Sequence, residues 1–534
     1  MEKMKAPFFP IIYVRGYAMT RGEMDETTAD PFCGFNLGST VMRAVPERNR
    51  PPRKFVFESP VVRLGSDFGY SDVYEDGYDI LDPEWSDPAA GNLLGARSII
   101  IYRYYDAASA LLGIGKTPTM EAFGKGLSEL ILKVRDLACA NPANGITKST
   151  FRCYLVAHSM GGLVCRTFLQ NPKCGSDEAR RAVDKLFTYA TPHNGIDVAG
   201  SNVPAFLSLN DISNFNRGTR MPEYLNLAKS LGRVDLLAES ELAPRKVFCM
   251  VGTNRSDYEA AAGLSRTFVG NGSDGLVRIE NATLSGLRGK TVGEECAKAF
   301  CYRSHSGFFG IVNSEEAYQN LTRFLFGDVR VDIWLDIADL RLPKAVQDAA
   351  GGRPVNALYQ IELLAAPRGK LWYLTRRTAE EDSAACVTHA TWKSKPKHYL
   401  SSVFLANYAR VNPRRRTLAY SLTLGVRVPD YEIEKRLWPN EHYEGSYLFR
   451  NTVIIELQPP RSAAETWKVA YAWQGTGVNS VSSELAPEQL KNGYVQVALP
   501  IDSDRDGKIT DPAIKGTLRF VVSGWNDGGD WSNV

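Results

Sequence analysis

In the first 327 positions, short runs of consecutive apolar residues alternate with longer segments in which apolar residues recur at helical spacing. The clearest helical segment extends from Met120 to Leu137, and Thr117 or Thr119 can cap it. This alternation predicts an open, mostly parallel α/β sheet with helices on both faces. The apolar runs are continuous, as in parallel strands buried on both sides, and lie at residues 10–14, 98–102, 153–156, 186–190 and 247–251.

The same region contains a last predicted helix and two long interruptions. The helix carries an apolar face from Ala317 to Leu325, and Asn313 is its expected cap. Residues 20–94 and 195–245 interrupt the alternation and are too long for plain loops. They are expected to form lids or pocket walls, or else packed additions without a functional motion.

After residue 327 the hydrophobic pattern changes to a period of two. Apolar residues alternate with polar ones from Val329 to Ile337 and again from Leu418 to Val428. Helical patterns are scarce there. The chain is therefore predicted to consist of an α/β domain over residues 1–327 and an antiparallel, β-sandwich-like domain over residues 328–534. Further strand-like runs are found at residues 467–473, 495–501 and 518–522.

Composition narrows the classes of partner and compartment. The 534 residues carry a formal charge of only +3, and no basic stretch is interleaved with aromatic residues, so a nucleic-acid partner is not expected. The basic run at residues 414–416 is interpreted as a solvated turn. Nine irregularly spaced cysteines indicate a reducing compartment. Without a signal-peptide pattern, the expected location is cytoplasmic, or outside the cell by a route that cleaves no signal peptide.

The most informative segment joins a predicted strand to a predicted helix at residues 153–169. Ser159 lies at the junction, with Ala157 and Gly161 two residues to either side. Small residues at these positions are typical of a tight strand-to-helix turn that exposes a nucleophilic serine. The N-terminus of the following helix would offer backbone N–H groups to a developing oxyanion.

A serine nucleophile requires a base, and two of the six histidines qualify by position. His158 is adjacent to Ser159, so its side chain should point away from the serine. Three others lie in the predicted β domain. His193 and His305 remain, each at the carboxyl edge of the sheet. His305 is favoured because it allows the chain order Ser, Asp, His, and His193 is then a residue of the pocket wall.

The acid and the oxyanion donors are predicted from their positions after strands. Asp274 lies in a glycine-rich turn between Ser159 and His305, whereas Asp235 and Asp257 lack that setting. The backbone N–H of Met160 is one expected oxyanion donor. The other is the N–H of Tyr17, because Gly16 allows the backbone to approach closely.

Five short motifs follow one another in the order found in lipases of the α/β-hydrolase superfamily. The order resembles most the branch that contains bacterial triacylglycerol lipases and the inositol deacylases acting on glycosylphosphatidylinositol. The resemblance covers about the first 327 residues. The motifs are Val-Arg-Gly-Tyr (14–17), Ala-His-Ser-Met-Gly-Gly (157–162), Ala-Thr-Pro-His-Asn-Gly (190–195), Ser-Asp-Gly-Leu-Val (273–277) and Ser-His-Ser-Gly (304–307).

This resemblance implies a serine carboxylic-ester hydrolase of the lipase or phospholipase type, with nucleophile Ser159, acid Asp274 and base His305. Relatives carry His-Gly where this chain has Arg15-Gly16, and Arg15 is expected to pair with a carboxylate or phosphate near the site. Arg15, Gly16, His158 and His193 are the substrate-pocket candidates. Some antibacterial lipase effectors of bacterial secretion systems also combine such a domain with extra modules and lack a cleaved signal.

Alternative functions use the same residues differently. An acyltransferase would share the triad and exclude water, and a non-catalytic protein would bind a lipid or a partner instead. The expected partners are a lipid or ester substrate, with peripheral membrane contact or a protein partner reached through the β domain.

No cofactor is expected to be required, but one loop is a candidate calcium site. Asp502, Asp504 and Asp506 alternate with other residues before Gly507, a spacing that suits a hard cation in a tight turn. Ala513 stands where the bidentate glutamate of a calcium loop would be. The alternative interpretation is an acidic hairpin between two strands.

Overall fold

A computed structural model of the chain divides into two compact units, residues 1–298 with 302–321, and residues 299–301 with 322–534. The residues described are 3–16, 39–43, 53–57, 60–73, 94–102, 104, 118–198, 201–202, 212–255, 272–306, 310–434, 440–461, 465–474, 483–490, 493–504 and 511–526.

An open sheet organises the first part of the chain. Its strands in chain order are β1 (Ile11–Val14), β4 (Ser71–Asp72), β5 (Ser98–Tyr102), β6 (Cys153–His158), β7 (Val183–Tyr189), β11 (Val247–Gly252) and β14 (Ala297–Cys301). Smaller sheets are formed by β2 (Ser39–Arg43) with β3 (Arg53–Phe57), by β8 (Asp197–Val198) with β9 (Ser201–Asn202), and by β10 (Leu236–Ala238) with β12 (Ser285–Arg288) and β13 (Thr291–Glu295). The order across the open sheet is β14-β11-β7-β6-β1-β5-β4. From β4 to β11 every neighbouring pair is parallel.

Helices follow several of these strands: α1 (Pro60–Phe68), α2 (Met120–Ala140), α3 (Met160–Gln170), α4 (Asp177–Ala182), α5 (Arg220–Tyr224) and α6 (Glu315–Phe326). Among the described residues, side chains cap three of them. Thr119 caps α2 by accepting the Ala122 N–H at 3.2 Å, and Ser176 caps α4 by accepting the Ala179 N–H at 3.1 Å. Ser314, not Asn313 as expected, caps α6, because its hydroxyl accepts the Ala317 N–H.

The described residues of the second unit form two antiparallel sheets and one further short α-helix, α7 (Lys344–Ala350). The strands are β15 (Val329–Arg341), β16 (Val355–Pro367), β17 (Thr375–Arg377), β18 (Ala385–Thr388), β19 (Lys397–Leu405), β20 (Leu418–Arg427), β21 (Asp430–Ile433), β22 (Glu441–Glu444), β23 (Tyr447–Gln458), β24 (Lys468–Trp473), β25 (Ser483–Leu485), β26 (Glu488–Gln489), β27 (Val495–Asp502) and β28 (Ala513–Gly524). One sheet has the order β19-β15-β28-β27-β26, and the other the order β22-β21-β16-β20-β23-β24-β25, with β17 and β18 also paired to β16.

The two antiparallel sheets share one hydrophobic core. Ile333 of β15 and Leu422 of β20, from different sheets, belong to the same buried cluster and are completely buried. The alternation in β15 is less simple than its sequence suggests, because Arg330 and Asp332 are also buried and form an ion pair at 2.9 Å. The arrangement is that of a β-sandwich.

Two further features of the described residues concern membrane-spanning helices and cysteine thiols. Within the described residues, no helix combines the length and the apolar character needed to cross a membrane. Eight cysteines in the described part of the chain have free thiols, six of them buried.

Candidate active site

Ser159 lies in a strained turn between the last residue of β6 and the first residue of α3. Its backbone has φ 53° and ψ −128°, in the region that residues with a side chain rarely adopt. Its N–H donates to the Tyr189 carbonyl at 2.9 Å, which ties the turn to the neighbouring strand. The turn therefore holds the serine hydroxyl in one direction despite the backbone strain.

Two glycines make room for this turn. A Cβ added to Gly16 would lie 2.3 Å from the Ser159 Cβ, and one added to Gly161 would lie 2.1 Å from the Val14 carbonyl oxygen. Both distances are far shorter than any permitted contact. The end of β1 and the start of α3 can therefore approach each other only because both positions lack a side chain.

Replacing Gly16 with alanine should lower kcat for a soluble ester by about 100-fold or more, because displacing the Ser159 turn by roughly 1 Å costs that much in catalysis. Steady-state hydrolysis of a short-chain ester measures the effect. Gly95→Ala is the matched control, since a Cβ there meets no atom within 4 Å. Equal rates for the two variants would contradict the role given to the close approach at Gly16.

The structure brings Ser159, His305 and Asp274 together in one hydrogen-bonded chain. The Ser159 Oγ lies 2.8 Å from the His305 Nε2, and the His305 Nδ1 lies 2.9 Å from the Asp274 Oδ2. All three residues are buried, with between 1% and 6% of their surface exposed. In the neutral tautomer that this arrangement favours, Nδ1–H donates to the carboxylate and Nε2 accepts from the serine.

Backbone groups hold the Asp274 carboxylate in place. Its Oδ1 accepts the N–H groups of Leu276 at 3.0 Å and Val277 at 2.7 Å. The other oxygen remains directed at His305, whose own N–H donates to the Asp274 carbonyl at 3.0 Å. The glycine-rich turn identified in the sequence thus fixes both the carboxylate and the backbone of the histidine.

His158 contacts the histidine loop, a role that sequence reasoning missed. Its Nε2–H donates to the His305 carbonyl at 2.8 Å, and the two ring centroids are 5.0 Å apart. Burial, followed by the charges of His305 and Arg15, lowers the pKa of His158 well below the usual value. The ring is therefore neutral at neutral pH, and it supports His305 through the main chain. The only signal in the sequence is its adjacency to Ser159.

His193 is not part of the hydrogen-bonded chain around Ser159. It is completely buried, its Nε2 lies 3.2 Å from the Thr188 hydroxyl, and its carbonyl accepts from Arg166. Burial and the nearby Arg166 charge lower the pKa of His193 well below the usual value. An imidazole that stays neutral and enclosed in this way has a structural role beneath the carboxyl edge of the sheet.

The structure describes one of the two predicted oxyanion donors, Met160, but not the other, Tyr17. Met160 is the first residue of α3, so its N–H has no acceptor one turn earlier within the helix. Tyr17 lies outside the described residues. Arg15 is described: its carbonyl accepts the Tyr104 hydroxyl at 2.5 Å, and its charge is near enough to lower the pKa of His158.

The carboxylates that the sequence offered as alternative acids or as calcium ligands either form ion pairs with basic side chains or lie outside the described residues. Asp235 forms an ion pair with Arg233, and Asp257 lies outside the described residues.

In the candidate calcium loop, Asp504 is paired with Arg341 at 2.7 Å, and Asp502 lies 3.4 Å from the Lys515 ammonium. Asp506 is outside the described residues, and within them no cluster of three or more His, Cys, Asp or Glu side chains could hold a metal. The acidic hairpin accounts for the described contacts, and calcium binding stays a prediction.

Arg166 is a completely buried cation on α3 that sequence reasoning also missed. Its guanidinium donates to the carbonyls of Val234 at 2.6 Å, Leu236 at 2.7 Å and His193 at 3.0 Å, and to the Gln170 side chain. Burial lowers its pKa to about 10, so it remains charged at neutral pH. Its hydrogen bonds connect residues 234–236, in the second long interruption, to α3, the helix that follows Ser159. Residues 234–236 are therefore held against α3 by hydrogen bonds, and that the rest of the interruption forms a lid or a pocket wall stays a prediction.

The parallel sheet, the turn at Ser159 and the chain order Ser, Asp, His together define the α/β-hydrolase fold, followed by a β-rich domain. Beyond this class the comparisons give no family: no protein-family model matches the chain, and neither does any curated protein.

Solved structures resemble the chain only remotely. The Bacillus licheniformis lipase BlEst2 in mature form is 12% identical with a TM-score of 0.28, over 61% of this chain and 95% of that one. Phospholipase PlaB from Legionella pneumophila is 13% identical with a TM-score of 0.29, over 78% and 86%. The lin2722 product of Listeria innocua is 14% identical with a TM-score of 0.26, over 60% and 94%. Similarities this low carry no argument about activity.

Proposed function

We propose that the protein is a serine carboxylic-ester hydrolase that acts through a covalent acyl-enzyme. One observation carries the proposal: Ser159, His305 and Asp274 form a continuous hydrogen-bonded chain, with 2.8 and 2.9 Å between successive partners, at a strained turn. A serine hydroxyl becomes nucleophilic when a positioned base accepts its proton, and the base needs a third group that fixes its tautomer. These three residues supply each requirement.

In the first half-reaction, the Ser159 Oγ attacks the ester carbonyl while the His305 Nε2 accepts the hydroxyl proton. The imidazolium that forms is stabilised by the Asp274 carboxylate, which the N–H groups of Leu276 and Val277 keep in position. His305 then protonates the leaving alcohol, and the acyl group stays on Ser159. A water molecule attacks that acyl-enzyme with the help of the same base and releases the acid.

The charge on the tetrahedral intermediate requires preorganised donors. The Met160 N–H at the start of α3 is the proposed donor, because it directly follows the nucleophile and the helix N-terminus favours negative charge. The Tyr17 N–H remains the predicted second donor. A Cβ at Gly16 would clash with the Ser159 Cβ, so the chain just before Tyr17 lies close to the serine, as this role requires.

The proposed substrates are lipid-like acyl esters, as in lipases and phospholipases. Support comes from the five motifs of the first 327 residues, which occur in the lipase order. An acyltransferase would use the same residues, and no described feature favours it over a hydrolase.

Fluorophosphonate labelling tests the proposal because the reagent reacts only with an activated serine. We expect one adduct per folded chain, located by mass spectrometry on the peptide that contains Ser159. Protein unfolded in denaturant should not react, since the hydrogen-bonded chain is then lost. An adduct on another serine, or none on the folded protein, would rule out Ser159 as the nucleophile. Rates on short soluble and long emulsified esters then measure the acyl preference.

A further inference from the structure

Two loops meet at one end of the larger sheet of the β-sandwich. Residues 368–374 connect β16 to β17, and residues 406–417 connect β19 to β20. Pro367 at the end of β16 pairs with Tyr420 near the start of β20, so both loops leave the sheet at the same end. A Cβ added to Gly369 would lie 3.8 Å from both methyl carbons of Val411, so the two loops lie close together. We call residues 368–373 and 407–416 together the basic tip.

The basic tip exposes large apolar side chains to solvent. Leu371 is completely exposed, and Val411 and Tyr408 are 62% and 51% exposed. The adjacent Trp372 is partly buried against the sandwich core, which anchors the loop that carries Leu371. A single exposed apolar residue needs no explanation, but several on two adjoining loops are typical of an interaction surface.

The two loops of the basic tip carry charge of only one sign. Its loops contain six basic residues and no Asp or Glu: Arg368, Lys370, Arg410, Arg414, Arg415 and Arg416. Arg414, Arg415 and Lys370 are exposed, whereas Arg368 is paired with Glu456 at 2.6 Å. The overall charge of the chain is only +3, so this concentration of positive charge is local.

We propose that the basic tip docks the protein on the surface of an anionic lipid membrane. Leu371 and Val411 enter the boundary between headgroups and acyl chains, and the exposed side chains of Arg414, Arg415 and Lys370 contact the lipid phosphates. Apolar insertion and electrostatic attraction act together in peripheral binding of this kind, and one without the other binds weakly. Of the basic run predicted to be a solvated turn, Arg414 and Arg415 are exposed and become membrane contacts in the bound state. Arg416 is half-buried and donates to the Pro460 carbonyl at 3.4 Å.

Other occupants match the surface less well. A nucleic-acid backbone would neutralise the arginines but offers nothing apolar for Leu371 and Val411 to contact. A second copy of the same face would bring the exposed cations Lys370, Arg414 and Arg415 against the same three cations. An anionic bilayer satisfies both the charge and the apolar side chains.

Vesicle co-sedimentation of the full chain tests the proposal, with Ser159→Ala protein so that no lipid is hydrolysed. The proposal goes beyond the proposed function and does not depend on it, because binding is read without turnover. We expect stronger binding to phosphatidylcholine vesicles that contain phosphatidylglycerol than to phosphatidylcholine alone, and weaker binding at high salt. Replacing Leu371 and Val411 with serine should lower the partition coefficient about tenfold or more. Replacing Arg414 and Arg415 with glutamate should do the same.

Matched controls lie at the opposite end of β16. Leu358 is nine residues from Pro367 along the strand, and Lys393 and Lys395 are exposed in the turn after β18, whose last residue Thr388 pairs with Leu358. Leu358→Ser and the pair Lys393→Glu with Lys395→Glu should bind vesicles like the parent.

Three results would overturn the proposal. The first is the absence of binding to anionic vesicles by the parent protein. The second is equal loss of binding in the tip variants and the controls. The third is a dimer in solution that the two serine substitutions convert to monomer, because the tip would then be an interface between copies of the chain.

Discussion

Replacing Ser159 with alanine should lower kcat for a soluble ester by about 10⁶-fold, the loss seen when a triad nucleophile is removed. The Ser159 Oγ is bonded to the His305 Nε2, and a methyl group at that position cannot attack a carbonyl. The fold should remain intact, because alanine meets the same backbone strain at φ 53° as serine does. Steady-state kinetics together with a thermal melt separate the chemical effect from a change in stability.

Asp274→Asn provides the graded control. An amide that donates toward His305 favours the wrong imidazole tautomer, and the expected loss in kcat is about 10⁴-fold. Combining this change with Ser159→Ala should add no further loss, because the two residues act as one unit. If Ser159→Ala retained a rate close to that of Asp274→Asn alone, the nucleophile would have to be another residue.

Replacing Arg166 with methionine should lower the free energy of unfolding of the α/β unit by about 3–5 kcal/mol. Methionine has a similar volume but leaves the carbonyls of Val234, Leu236 and His193 without the donors that Arg166 supplies. Each buried carbonyl without a partner costs about 1–3 kcal/mol. Urea unfolding followed by circular dichroism measures the change.

Arg166→Lys separates charge from hydrogen bonding in this prediction. The ammonium keeps the positive charge but cannot reach three carbonyls and the Gln170 side chain in the planar geometry of a guanidinium. We expect a loss of stability between those of the parent and the methionine variant. Equal stability of all three proteins would show that these carbonyls find other donors.

The buried strands were predictable because parallel strands covered on both faces leave continuous apolar runs in the sequence. The limits of the strands differ more from the prediction. β7 starts at Val183, three residues before the predicted start, since Asp184 and Lys185 interrupt the apolar run. Lys185 is nevertheless buried, with its ammonium 5.0 Å from the centre of the Tyr154 ring. A contact between neighbouring strands thus allows a charged residue in a position that the pattern reserves for apolar ones.

The candidate site was predictable where chain order and local turns determine it. Ser159, Asp274 and His305 each follow a strand, and strand ends of a parallel sheet meet at one edge. The partners of His158 and Arg166 were not predictable, because the carbonyls that they bind belong to segments distant in sequence. The cap of α6 shows the same limit at short range: Asn313 and Ser314 are both good caps, and only the position of the first helical turn selects Ser314.

The backbone of His305 has a consequence for the energy of substrate binding. The residue lies on a loop, yet its N–H is bonded to Asp274, its carbonyl to His158, and its ring to both Asp274 and Ser159. All of these bonds are made within the chain itself. The base therefore has little conformational entropy left to lose when an ester binds, and more of the binding energy remains for the transition state.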